Sequence, residues 1–435
     1  MARAMKDSGI EWIGEIPEGW EAYNIRHEFS FGKGLPITKE DLRDSGEPVI
    51  SYGQIHSKIN TGTTIKPELV RYVEGKYLDT HPGSLAHKGD LIVADTSEDV
   101  AGCGNCIYVD TNAPVFAGYH TIILRNKTNH NQRFLSYLFQ TDAWRSQIRK
   151  QVTGVKLFSI SQKILRSTSV IIPQYEEQQR IADFLDTECA RIVAVIEQTR
   201  ASIEEYKKLK QSVITEAVTK GIRPSRKMKD SGVEWIDSIP EEWSMERGKG
   251  LFIEVDNRSE DGTEELLTVS QYTGITPRSQ KNVNMFEAET LEGYKICEVG
   301  DIAANTMWLW AGAIGVSKYR GVISPSYNIY RQKNSCFDLT YLDFLLRAAP
   351  LVQHYESLST GIRASRLRLY PQQFLSIRYP VPPMNEQKEI VSSLKEKIDG
   401  MDSLIQKKEQ YLAEIESYKK SLIYEYVTGK KEVPV

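Results

Sequence analysis

The chain writes one sentence twice. "MKDSGIEWIGEIPEGW" runs from Met5 to Trp20, and "MKDSGVEWIDSIPEEW" from Met228 to Trp243, with twelve of sixteen positions identical at an offset of 223. A second pair follows each copy. "PQYEEQQRIADFL" starts at Pro173 and "PPMNEQKEIVSSL" at Pro382, an offset of 209 that holds without a gap over roughly 45 residues. The stretches between, 22–170 and 245–380, share only fragments such as "KGDLIV" (Lys88–Val93) with "VGDIAA" (Val299–Ala304), "TGVK" with "TGIR" and "GYHT" with "SYNI". A solenoid needs three or more short repeats. Two copies of a large unit, each a constant frame around a variable insert, demand a pseudo-two-fold fold of at least two domains.

The constant segments after each insert read as long helices. In the first, apolar or tolerant residues recur at Leu185, Cys189, Ile192, Ile196, Thr199, Ile203, Tyr206, Lys210, Val213 and Ala217. The copy places Leu394, Ile398, Met401, Ile405, Lys408, Leu412, Ile415, Lys419, Leu422 and Tyr426 there. Steps alternating four and three make the seam of a coiled coil. Pro173 and Pro382–Pro383 precede the helices, and Gly221 and Gly429 stop them. Helices of about 43 residues, some 65 Å long at 1.5 Å per residue, need another helix against the seam, and each copy is the other's natural antiparallel partner. Seam residues Ile192, Ile196, Ile203, Met401, Ile405 and Leu412 are expected to build this frame and to leave room for a partner's helices.

Both inserts read as mixed α/β: several strands, an amphipathic stretch (Asn131–Val152; Leu339–Tyr355), then a return strand feeding the long helix. Basic residues cluster with a Gly at equivalent places. Arg145, Arg149, Lys150 and Lys156 surround "TGVK", and Arg363, Arg366 and Arg368 surround "TGIR". Such donors suit phosphates and guanine edges. Tyr119–His120 and Tyr327–Asn328 are polar–aromatic pairs at strand starts that could reach bases. In the repeated opening, Trp12 with Trp20, and Trp235 with Trp243, are apolar anchors expected to lock the frame and offer docking surfaces. Glu177, Gln178, Glu386 and Gln387, at the starts of the long helices, are assigned to the same frame.

Catalytic signatures are sparse. No phosphate loop, HExxH motif or pair of CxxC motifs is present. "CGNC" (Cys103–Cys106) reads as structural, and "SPSY" (Ser324–Tyr327) lacks the second Pro of an amino-methyltransferase motif. No metal site or catalytic residue is expected. Five scattered Cys fit a reducing cytoplasm. A net charge of −3 neither demands nor excludes nucleic acid, because local patches attract phosphate.

With "KDSGIEWIGEIPEGW", its copy, the "EEQQRIADFLD" and "NEQKEIVSSLKEK" leads and the endings "ITEAVTKG" and "IYEYVTGK", the chain resembles the specificity subunits of type I restriction–modification systems over its full length. The resemblance implies an α+β chain with two α/β target recognition domains separated by an antiparallel coiled coil of two long helices. It implies these boundaries: a repeated segment at 1–21, first recognition domain 22–172, first spacer helix 173–222, linker and repeated segment 223–244, second recognition domain 245–383, second spacer helix 384–429 and tail 430–435. Each domain would read one half of a bipartite, asymmetric double-stranded DNA site, in a cytoplasmic complex that serves phage defence. Two modification (methyltransferase) subunits would dock on the frame and restriction (translocase and nuclease) subunits would join. S-adenosylmethionine, ATP and Mg2+ would be used on those other subunits, and this chain would bind no cofactor. The alternatives at this stage are a stand-alone DNA-modifying enzyme and a non-DNA protein scaffold.

Overall fold

The computed structural model describes residues 3–154, 156–281, 290–361 and 367–434. The two predicted spacers are continuous helices, Tyr175–Lys220 and Met384–Val427. All twenty predicted seam positions are buried or half-buried. The chain divides into two compact units that cut across the duplication. The first holds 1–199 with 411–435, and the second holds 200–410.

In the first unit, the start of the first long helix packs against the end of the second. Phe184 meets Tyr426 with ring centroids 4.5 Å apart. One core joins Leu185, Cys189, Ile192 and Ile196 to Leu422, Ile423, Tyr426 and Val427. In the second unit the roles reverse. Lys210 Nζ lies 2.7 Å from Asp402, and Lys408 Nζ stands 5.7 Å from the centre of the Tyr206 ring. Rising numbers on one helix meet falling numbers on the other, so the pairing is antiparallel. The long-helix residues Ala217, Val218, Ile390 and Leu394 join the insert in this unit's core.

Each insert is built on one plan despite its divergent sequence. A four-stranded antiparallel sheet runs in the order Cys106–Tyr108, Leu91–Ala94, Thr121–Asn126, Phe29–Lys33 in the first unit. The second unit repeats it as Ile314–Val316, Ile302–Ala304, Asn328–Gln332, Phe252–Val255. The strand leaving the repeated opening pairs with the return strand in both: Glu21–Asn24 with Ser169–Ile172, and Ser244–Arg247 with Arg378–Val381. This ribbon ties the insert's start to its exit and delivers the chain into the long helix. The predicted amphipathic stretches are each two helices. Thr141 ends Gln132–Gln140 and caps Asp142–Arg149, accepting from Trp144 N at 3.2 Å. Ala348 separates Leu339–Leu346 from Ala349–Leu358, where Pro350 sits in the first turn, the position a helix tolerates it.

Candidate nucleic-acid interface

In the first unit, strand Leu91–Ala94 emerges into Asp95, and Thr96–Ser97 then pairs with Phe158–Ser159. The Tyr119–His120 turn lies beside it, with Asp95 N donating to His120 O at 3.1 Å. His120 Nδ1 lies 3.3 Å from Asp95 Oδ1 and 3.4 Å from Thr96 Oγ1, which donates to Asp95 Oδ1 at 2.8 Å. The His120 ring stands on the edge of Tyr52, 5.5 Å between centroids, and Tyr119 meets Tyr52 at the same separation. His120 adopts φ 55°, left-handed backbone that costs a residue with a Cβ on the order of 1 kcal/mol. Its side chain is 57% exposed. The edge therefore presents a carboxylate, an imidazole and half-covered phenols on a fixed backbone, with the buried Thr96 hydroxyl bracing the carboxylate from beneath. Donors and acceptors of these kinds match the patterns on base edges in a major groove.

The other predicted basic residues divide. Lys156 is exposed two residues before the Phe158–Ser159 strand. Arg145 turns inward and donates to Phe139 O, Asn105 Oδ1 and Gln140 Oε1 at 2.6–3.2 Å. Asn105 in turn meets His56 Nδ1 at 3.1 Å, and His56 Nε2 lies 2.8 Å from Thr96 O. Arg145 thus braces the edge from behind instead of facing a ligand. Arg149 pairs with Asp142 at 3.0 Å and donates to Ala101 O, and Lys150 pairs with Glu11 at 2.8 Å. Cys103 and Cys106 are free and buried, and burial pushes both thiols up, so they stay protonated.

The second unit repeats the geometry with other chemistry. Asn305 Nδ2 donates to Tyr327 Oη at 2.9 Å, and Thr306 Oγ1 donates to Ser326 O at 2.8 Å. Tyr327 is half-buried, its phenol pushed up by burial, and Asn328 is buried at the start of its strand. Both belong to the scaffold of this edge. The side chains exposed beside them are Met307 and Trp308. Arg368 is exposed and its backbone pairs with Thr360. Arg363 and Arg366 lie outside the described residues. The sequence reading overlooked Tyr52, His56, Asp95, Thr96, Met307 and Trp308. The echo of "ADT" (Ala94–Thr96) in "ANT" (Ala304–Thr306) was the available signal.

The repeated opening and the helix starts form a clasp. Trp20 is fully buried, its Nε1 donating to Glu177 Oε2 at 3.0 Å, while Arg3 pairs with Glu177 at 2.7 Å and covers the indole at 5.5 Å. Trp243 donates to Glu386 Oε2 at 3.1 Å, and Arg226 pairs with Glu386 and covers that indole at 5.8 Å. The adjacent glutamines hold the inserts. Gln178 accepts from Asn131 N at 2.6 Å and Gln387 from Asp338 N at 2.8 Å, where Asn131 and Asp338 are the N-caps of insert helices. A Cβ on Gly429 would meet Pro17 at 2.6 Å, so the second helix must stop on glycine there. Trp20, Trp243, Gln178, Glu386 and Gln387 are interior, as is Trp235, while Glu177 is mostly covered and Trp12 is half-buried. Their burial gives the clasp a locking role, and a partner has no face of Trp20 or Trp243 to touch. Among the described residues, no group of His, Cys, Asp and Glu could hold a metal ion, and no helix is long and apolar enough to cross a membrane.

Residues 17–205 match the family model described as the type I restriction modification DNA specificity domain. The putative type I restriction enzyme MjaX specificity subunit of Methanocaldococcus jannaschii is 24% identical over 450 residues, covering 97% of this chain and 96% of that protein. The MjaVIII specificity subunit of the same organism is 24% identical over 303 residues, 66% of this chain and 68% of that one. Among solved structures, a chain from work on complex assembly and conformational transition of the type I R-M system superimposes with a TM-score of 0.67. It shares 15% identity and covers 96% of this chain and 99% of that one. The HsdS subunit from Thermoanaerobacter tengcongensis gives 0.50 at 16% identity, with 96% and 98% coverage. At these identities the structural likeness is one of fold.

Proposed function

We propose, from its similarity to the type I restriction–modification specificity subunits, that this chain reads a bipartite, asymmetric double-stranded DNA site, one half-site per insert. The observation that carries the reading is the contrast between frame and edge. The clasp is repeated residue for residue: Arg3, Trp20 and Glu177 against Arg226, Trp243 and Glu386. The equivalent edges differ: Asp95 and His120 stand over a buried Thr96 on one, and Met307 and Trp308 are exposed over the buried Asn305 and Thr306 on the other. A frame kept alike around unlike exposed surfaces is what reading two different sequences in one geometry requires.

On this reading the chain is non-catalytic. Two modification subunits dock on the paired helices and bring S-adenosylmethionine and the methyl-transfer chemistry. Restriction subunits bring ATP, Mg2+ and cleavage, and the complex works in the cytoplasm. The paired helices set the nonspecific spacer between half-sites. DNA binding by the complex weakens as salt rises, because phosphate neutralisation releases counterions. The test is to express the chain with its modification partner and map methylated adenines genome-wide. The expected motif has two unlike half-sites around a fixed gap. An undivided motif, or none, would overturn the reading.

A further inference from the structure

Resting on that DNA-reading function, we propose that Met307 and Trp308 form an apolar wedge that enters the base stack of the half-site read by the second insert. This unit then selects its sequence partly by how readily one base step opens.

Trp308 is 52% exposed and Met307 beside it is 38% exposed. Single exposed apolar residues are ordinary, but this pair is held out by a built support. Trp310 stacks on Trp308 at 5.6 Å and 26°, and its Nε1 donates to Met307 O at 2.9 Å. Met307 N donates to Asn305 Oδ1 at 3.2 Å and Trp308 N to Asn305 O at 2.9 Å. Ala311 N and Ala313 N both donate to Trp308 O at 3.0 Å, across a turn whose Gly312 takes φ 87°. Leu309 is buried and anchors the turn in the core. The network fixes the backbone that carries the indole, and folding the ring back onto its own unit would give up its stack on Trp310. Such preorganisation lowers the ordering cost of binding.

Placement and charge point to a nucleobase as the occupant. The wedge leaves the strand at Asn305–Thr306, which matches the Asp95–Thr96 edge of the first unit. Residues 302–316 contain no charged side chain, whereas the equivalent 92–106 carries Asp95, Glu98 and Asp99. Nothing on the wedge segment repels phosphate. Flat indoles and thioethers are the side chains that stack on or pry between bases, and pyrimidine–purine steps yield most easily. The first unit has Ser97–Val100 in place of Met307–Trp310, so only one half-site should be unstacked.

The experiment uses the full chain assembled with its modification subunits on duplexes carrying its methylation motif. 2-Aminopurine replaces one base at a time through both half-sites. Apart from the methylated adenines, which the modification subunits flip out of the stack in both half-sites, binding should raise fluorescence at one step in one half-site only. Trp308→Ala should abolish that rise and weaken binding by about 5- to 150-fold, the range for one lost base stack. Trp308→Phe should restore part of both, and circular dichroism melts of the variants should match the parent because the side chain is exposed. If the complex binds and methylates its motif with every probe other than those at the methylated adenines quenched, or Trp308→Ala behaves as the parent, the wedge is wrong and the DNA-reading function stands. If Trp308→Ala instead blocks assembly with the modification subunits in the absence of DNA, the patch is a protein contact and the proposal falls. Failure of the parent complex to bind the motif would overturn both.

Discussion

Replacing Glu386 by alanine should destabilise the second unit by about 3–5 kcal/mol, the usual cost of stranding a buried ionic partner. The Glu386 side chain is 3% exposed and that of Arg226 is 10%. Without the carboxylate, the guanidinium keeps only the outer Glu242, 2.8 Å away, and the Trp243 indole N–H loses its acceptor in the core. The duplicated geometry supplies an internal control. Glu177 and Arg3 are 19% and 22% exposed, so water reaches the stranded Arg3, which also keeps Glu432 at 3.7 Å. The loss is then mainly the acceptor of the buried Trp20 indole, and Glu177→Ala should cost only about 1–2 kcal/mol. Hydrogen exchange read separately in peptides from 228–247 and 5–24 checks the difference. Equal losses of protection in the two variants would show that burial does not set the strength of this clasp.

His120→Gly should separate stability from recognition. Glycine takes the left-handed backbone at His120 without a Cβ penalty. This offsets the lost ring contacts to Tyr52 and Asp95 and glycine's greater unfolded-chain entropy, so the variant should stay within about 1 kcal/mol of the parent. The same change removes the imidazole from the Asp95–Thr96 edge. A lost base contact of good geometry removes about 1–3 kcal/mol of discrimination. Genome-wide adenine methylation should then show one half-site degenerate at one or two positions and the other half-site intact. Asp95→Asn, which converts an acceptor edge into a donor and acceptor, should change the preferred base at that position instead of blurring it. A motif unchanged in both variants would remove this edge from the reading surface.

The frame was legible because it is written twice. A heptad-like seam seen at equivalent places predicts two helices, and positions as ambiguous as Thr199, Lys210 and Lys419 prove covered or half-covered. The strands "TIILRN" and "DLIVAD" were legible as apolar runs bounded by turn residues. What stayed hidden depends on groups distant in sequence. A cluster holding Arg145, Arg149 and Lys150 looks like a solvated charged run until its acceptors appear: Asn105, Ala101 and Glu11, which lie 40, 48 and 139 residues away. Trp20 and Trp243 read as anchors, but only the folded chain shows Glu177 and Glu386 closing over their indole nitrogens. Edge residues Asp95 and Trp308 carry no periodic signal, since exposed loops obey none.

The exchange of helix ends fixes the order in which the protein can be finished as it is made. Everything the second unit needs lies within 200–410, whereas the first needs 411–435 as well as 1–199. The core around Trp20, Phe134 and Leu185 is completed by Leu422, Tyr426 and Val427. Domains of a nascent chain ordinarily fold from the N-terminus onward. Here the core of the insert translated first receives its last residues, from 411–435, only after more than two hundred further residues have been made.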